Sequence, residues 1–284
     1  MLRIGRIEYA NCTPLFRSLA ENQLCGDYQL VGGVPAQLNA MLAEGEIDVC
    51  PSSSIEYALH PERYLILPHM SISSDGAVAS VLLFSHVPLE DLHNRTVLLS
   101  SESATSVNLL KILLKNRFGC SCSYAVQTSS VEESLHEAPA LLLIGDAALR
   151  ASLVESNLLV YDLGQLWHAW TGLPFVFALW LCRRQAAENQ SAEIADLTER
   201  LIEAKELARN SYQSIAESSP EISWIESDRL VSYWRENISY DLDTRHLEGL
   251  ILFYKYCAEL GLLEAEPELH FFAGLPQKEI QRGY

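Results

Sequence analysis

Through Leu181, short apolar runs alternate with segments whose apolar residues recur at helical spacing; from Ala192 onward only the helical period remains. The runs Leu2–Tyr9, Tyr28–Val31 and Ile47–Cys50 read as strands. Between them lie two helices: Leu15–Glu21, with Thr13 as N-cap and Pro14 at its first position, and one from Pro35 to Ala43 stopped by Gly45. Ser53–Leu59 reads as a further short helix. Alternating strands and helices predict a parallel sheet, because a parallel pair needs the crossover that a helix supplies. Ala77–Ser85 reads as a longer strand, and a second series follows it. Its pieces are strand Thr96–Leu99, helix Ser106–Phe118, strand Ser123–Gln127, helix Val131–Glu137, strand Ala140–Ile144 and a short helix from Asp146. Leu159–Leu163 and Phe175–Leu181 read as strands flanking a Trp-rich loop, Leu166–Thr171.

In the C-terminal part, Ile194, Leu197, Leu201, Ala204, Ala208 and Ile215 keep one helical stripe up to Ser219-Pro220. Leu230, Val231 and Trp234 mark another helix, and a last one runs from Asp243 or Thr244 to Gly261. The tail segment Leu269–Phe272 is expected to dock on the body. The strands near residues 80 and 178 read as two crossings between lobes. The expected architecture is therefore α/β with two lobes. Residues 1–86 and 179–284 form the first lobe, discontinuous and with a helical C-terminal part; residues 87–178 form the second. Sheets of this kind hold ligands in a cleft at the carboxyl ends of their strands.

Three small polar clusters fall at such strand ends, and each opens a helix: Asn11-Cys12-Thr13-Pro14, Pro51-Ser52-Ser53-Ser54 and Ser100–Ser106. Helix N-termini carry unpaired N–H groups and the positive end of the dipole, so they seat carboxylates and phosphates. A small anionic ligand is the expectation. The net charge of −17 across 284 residues repels such an anion at long range, which a local field in a dry cleft can overcome. That same charge excludes a nucleic-acid partner, which needs a basic footprint, and disfavours an anionic membrane surface. No apolar run reaches membrane-spanning length. Met1–Gly5 leads straight into a strand without a secretory leader pattern, so a cytoplasmic protein is expected. The seven cysteines are scattered and lack a CxxC pair, which predicts free thiols rather than a disulfide framework or zinc site. No phosphate loop, dinucleotide fingerprint or metal motif occurs, and no cofactor is expected.

One family matches these segments in order. Ile4–Leu15, with Tyr9-Ala10-Asn11-Cys12-Thr13-Pro14 at its end, resembles the start of the chorismate dehydratases of the futalosine route to menaquinone. Gly33-Val34-Pro35-Ala36-Gln37-Leu38-Asn39, Gly45-Glu46-Ile47-Asp48-Val49 and Ser53-Ser54-Ile55-Glu56-Tyr57 continue the resemblance. Gly76–Val81, Ser103-Ala104-Thr105-Ser106, Ile144–Leu149 and Thr171–Ala178 complete it, so it spans most of residues 1–182. Ala10, Thr13 and Ser52 depart from the family pattern, which usually carries larger apolar residues there.

The resemblance implies a two-lobe, periplasmic-binding-protein-like (type 2) fold and conversion of chorismate to 3-[(1-carboxyvinyl)oxy]benzoate with loss of water. It implies a catalytic role for Asn11. An amide is a very weak base, so orienting the substrate and hydrogen-bonding the migrating proton or departing oxygen suits Asn11 better than proton abstraction. Ser53, Ser54, Ser80, Ser103, Thr105, Ser106 and Asp146 are the candidate substrate contacts. Ser103, Thr105 and Ser106 suit one substrate carboxylate at a helix start, a place where Ser and Thr also serve as caps. Asp146 is placed either to bond across the cleft or to cap its own helix. Trp167, Trp170 and Phe175 are candidates for a ring wall or for core. Two other functions fit parts of the chain: a cytoplasmic small-carboxylate-binding protein, and the related step that forms 1,4-dihydroxy-6-naphthoate. The latter enzyme's Pro-Asn-Asp motif is missing here.

Overall fold

The computed structural model describes residues 1–274. In chain order the elements are β1 Leu2–Ile7, α1 Thr13–Glu21, β2 Tyr28–Gly33, α2 Pro35–Glu44, β3 Val49–Ser53, α3 Ser54–Leu59, β4 Tyr64–Ser74 and β5 Val81–Ser85. Next come β6 Thr96–Leu99, α4 Ala104–Ile112, β7 Ser123–Val126, α5 Val131–Glu137, β8 Ala140–Ile144, α6 Gly145–Ser152, β9 Leu159–Asp162, α7 Leu163–Thr171 and β10 Phe175–Arg183. Helices α8 Arg184–Asn189, α9 Ser191–Ser218, α10 Ser227–Ser232 and α11 Thr244–Glu259 complete the set.

The strands form two five-stranded sheets, ordered β2-β1-β3-β10-β4 and β7-β6-β8-β5-β9. Each is mixed rather than wholly parallel. β1 runs parallel to β2 and β3, but β10 is antiparallel to both β3 and β4. In the second sheet β6 is parallel to β7 and β8, while β5 is antiparallel to β8 and β9. Strands β3, β5 and β8 are buried at every position, which is why their sequences read as continuous apolar or small-residue runs. The stripe Ile194, Leu197, Leu201, Ala204, Ala208 and Ile215 is buried along α9, which packs on α1 and β4.

Several elements differ from the sequence expectation. The eleven-residue strand β4 is missed, because Pro68-His69 interrupts its apolar pattern and His69 takes a left-handed φ of 63°. The Trp-rich segment is helix α7, capped by the Asp162 carboxylate accepting from Gln165 N and ended by left-handed Gly172. Only Val81–Ser85 of the expected strand Ala77–Ser85 is extended, because Ala79 has a φ of 59°. That strand lies wholly in the second sheet, and β10 wholly in the first, so neither bridges the two. Cys12, rather than Thr13, is the N-cap of α1. The tail docks as expected: Phe272 N donates to Ile66 O, and Ile66 N to His270 O, each at 2.9 Å.

Candidate active site

A cleft of about 530 Å³, partly open to solvent, lies between the two sheets, at the carboxyl ends of β1, β3 and β8 and near the starts of β5 and β10. Tyr9 and Asn11 line it from the β1–α1 loop and Ser53 from the end of β3. Val78, Ser80 and Val81 line it on the way into β5; Ser103 and Ser106 do so at the start of α4, and Phe177 and Ala178 from β10. Five of the eight candidate residues thus meet around one space: Asn11, Ser53, Ser80, Ser103 and Ser106.

The loop that carries Asn11 is fixed through its backbone by remote residues. Ala10 N donates to the Asp146 carboxylate at 2.9 Å, and Ala10 O accepts from Trp234 Nε1 at 2.7 Å. Asn11 O accepts from the Tyr240 hydroxyl at 2.6 Å, and Cys12 N closes a turn onto Tyr9 O at 2.9 Å. These bonds fix the path of the main chain and leave the Asn11 side chain at the cleft. Its Oδ1 is out of solvent and has no protein partner. A buried carbonyl oxygen without a donor costs free energy, which a ligand N–H or O–H recovers. Tyr9 also lines the cleft, and burial together with the charge and hydrogen bonding of nearby Glu102 pushes its pKa upward.

Asp146 is not the cap of its helix, which is preceded by Ile144. It sits in the first turn of α6 and ties the second sheet to the Asn11 loop of the first. Burial raises its pKa; the Ala10 hydrogen bond opposes this, and the charges of Glu221 and Glu102 add to it. Gly145 beside it has a φ of 57°, and a Cβ there would lie 2.9 Å from the Tyr9 ring. Glycine is required on both counts.

The N-terminus of α4 faces the cleft through Ser103 and Ser106. Ser106 N donates to Ser103 Oγ at 3.2 Å, and the two hydroxyls lie 3.0 Å apart. Thr105 and Ser54 are fully buried and turn toward each other, not to the cleft. Their hydroxyls lie 3.3 Å apart, and Thr105 Oγ1 accepts from Ile55 N at 3.1 Å. Thr105 therefore caps α3 from the other sheet, where Ser53 makes no side-chain cap of its own. Trp167 packs on Trp170, Phe175 and Tyr256 in the core; Phe177 is the aromatic residue that walls the cleft beside Tyr9.

With this geometry, the chain matches the menaquinone biosynthesis family over residues 2–259. It belongs to that family. A chorismate dehydratase from Thermus thermophilus is 32% identical to it over 265 residues, covering 88% of this chain and 93% of that protein. A protein from Archaeoglobus fulgidus superposes with a TM-score of 0.75 at 17% identity, over 92% of this chain and 98% of that one. The periplasmic aliphatic sulphonate binding protein of Escherichia coli superposes with a TM-score of 0.63 at 16% identity, over 93% and 89%. The fold is thus periplasmic-binding-protein-like, as expected. For this member of the menaquinone biosynthesis family, nothing in the sequence showed that Trp234 and Tyr240 hold the Asn11 loop. Both lie in the helical C-terminal part, where an aromatic residue at helical spacing looks like any core residue. Among the described residues no three His, Cys, Asp or Glu side chains gather as a metal site requires, and no helix is long and apolar enough to cross a membrane.

Proposed function

We propose that the chain is a chorismate dehydratase, a carbon–oxygen lyase that needs no cofactor and acts in the cytoplasm on a small dicarboxylate. The ring carbon bearing the enolpyruvyl ether loses its proton, and the C–H electron pair becomes a ring π bond. The neighbouring C–O bond breaks, hydroxide departs and takes up a proton, and the ring becomes aromatic. The driving force lies in the substrate, so the protein's work is orientation and charge stabilisation. The observation that supports this most directly is the Asn11 carboxamide, held at the cleft by backbone bonds to Asp146, Trp234 and Tyr240 while its own oxygen lacks a partner. Asn11 orients the substrate around the migrating proton, and the enolpyruvyl carboxylate of the substrate accepts that proton. Ser103 and Ser106 hold one carboxylate at the α4 N-terminus, and Ser53 and Ser80 contact the remainder. We take the two sheets as the cores of two lobes that part to admit substrate and close over it, the chain crossing near residues 75–80 and 172–174.

The test is turnover of chorismate by the purified chain without added metal or cofactor, with the product identified by mass spectrometry and NMR. The aromatic enolpyruvyl ether is the expected product. Asn11→Ala is expected to lower kcat about 100-fold, the typical cost of removing an oriented polar group from a transition state. Intact chorismate bound stoichiometrically at high enzyme concentration would instead make the chain a carboxylate-binding protein.

A further inference from the structure

Ser80 is oriented by residues that do not reach the cleft, and we propose that one of them, Tyr233, is a positioning residue that aims the Ser80 proton at an oxygen of the bound substrate. This rests on the reading of the chain as a chorismate dehydratase. Tyr233 follows α10, is buried, and has its hydroxyl 2.9 Å from Ser80 Oγ. Burial keeps the phenol protonated. A buried phenol must place its proton on an acceptor, so Tyr233 donates to Ser80 and occupies one of its lone pairs. The proton of Ser80 then needs an acceptor of its own. The protein offers Val78 O at 3.3 Å, long for a bond between two oxygens. A substrate oxygen in the cleft displaces that weak bond, and the incoming bond from Tyr233 makes Ser80 a stronger donor by polarising its O–H.

The backbone around Ser80 is held with equal care. Ala79 keeps its φ of 59° because the Asp162 carboxylate accepts from Val78 N at 3.1 Å and from Ala79 N at 2.6 Å. Ser80 O accepts from Gly145 N at 2.8 Å, next to the Asp146 tether of the Asn11 loop. A left-handed alanine costs free energy unless its surroundings determine it, and such strain is usual beside functional groups. Asp162 thus fixes where Ser80 sits; Tyr233 fixes where its proton goes.

The experiment is a double-mutant cycle on chorismate turnover with Tyr233→Phe, Ser80→Ala and the double variant, each checked for an unchanged fold by circular dichroism and thermal unfolding. Tyr233→Phe deletes one oxygen from a buried ring and is expected to lower kcat on the order of tenfold while leaving KM within about twofold, the effect of one oriented hydrogen bond. In the Ser80→Ala background it should lower kcat no further, because the group through which it acts is gone. A wild-type kcat in Tyr233→Phe would overturn the proposal. So would losses that simply multiply in the double variant, which would mark a packing role. Absence of turnover in the wild-type chain would remove the dehydratase reading and this proposal with it; turnover with multiplying losses would remove the role of Tyr233 alone.

Discussion

The hydrogen bond from Ala10 N to Asp146 joins the two sheets directly at the Asn11 loop, so its removal should affect stability and turnover together. Ala10 is fully buried, and Asp146→Ala leaves its N–H without a partner at a cost of about 1–3 kcal/mol. Part of this is returned. Burial raises the pKa of Asp146, so its charged form is disfavoured in the folded protein. A carboxylate whose folded pKa is raised contributes stability fully below the ordinary value near 3.9, and that contribution is lost as pH rises through the folded value. At pH 7 the alanine variant is therefore relieved of a desolvation penalty, and the net loss lies near the lower end of the range. At about 2–4 °C per kcal/mol for a chain approaching this size, the fall in Tm should be about 2–6 °C. A loop displaced by an ångström loses about 100-fold in rate, so kcat should drop about 10- to 100-fold. Asp146→Asn keeps an acceptor oxygen without the charge. It should match or exceed the wild-type Tm at pH 7, lose the part of the pH dependence of stability above pH 4 that Asp146 contributes, and retain most of the turnover. The assays are thermal unfolding between pH 4 and 8 and chorismate kinetics. An alanine variant with wild-type Tm and kcat would refute the tether, and an asparagine variant as impaired as alanine would show that charge rather than an acceptor is required.

Two further outcomes follow from geometry elsewhere. Gly145→Ala and Gly172→Ala both place a Cβ at positive φ, but only the former meets an obstacle, the Tyr9 ring at 2.9 Å. Gly172→Ala should cost about 1 kcal/mol and leave kcat/KM intact, whereas Gly145→Ala should cost more and depress kcat/KM; equal effects in both assays would refute the close packing of Tyr9. Asp48 is buried, which alone would raise its pKa, but hydrogen bonds from Arg3 and the charges of Arg3 and Arg183 outweigh burial and lower it. Its stabilisation is present above the ordinary Asp value near 3.9 and is lost as pH falls through the lower folded value. Asp48→Asn should therefore lower Tm at pH 7, with the gap to wild type closing below about pH 4; a gap constant down to pH 2.5 would contradict the assignment.

Much of the fold was legible because its rhythm is local. Pro35 and Gly45 bracket α2, and the stripe on α9 is buried as its spacing foretold. The sheet pairing was less legible. A strand such as β10 reads as apolar whether its neighbours run parallel or antiparallel, and the direction is set by crossings that no local pattern records. Helix α7 was hidden because Trp167 and Trp170 suit a loop as well as a core helix, and its cap, Asp162, lay inside a run that looked like strand. In the candidate site, the polar clusters at strand ends pointed to Asn11, Ser53, Ser103 and Ser106, and only the family resemblance pointed to Ser80, which lies outside those clusters. Position in the sequence could not tell that Thr105 and Ser54 face each other. Nor could it foresee that Trp234 and Tyr240, more than two hundred residues away, would hold the loop around Asn11.

Those separations bear on how the protein is made. The partners of the Asn11 loop lie 136, 224 and 229 residues further along the chain. A ribosome releases β1 and α1 long before α10 and the segment around Tyr240 exist, and contacts that distant form slowly because a long loop must close first. Throughout most of synthesis the chain carries the loop without its fastenings, and the first sheet lacks the strand β10 that joins β3 to β4. The last two fastenings of the loop therefore form only after the helical part has been made and folds back over the strands. A truncated product ending before Trp234 would retain both sheets' sequences and the Asp146 tether, yet lack two of the three remote fastenings of the Asn11 loop.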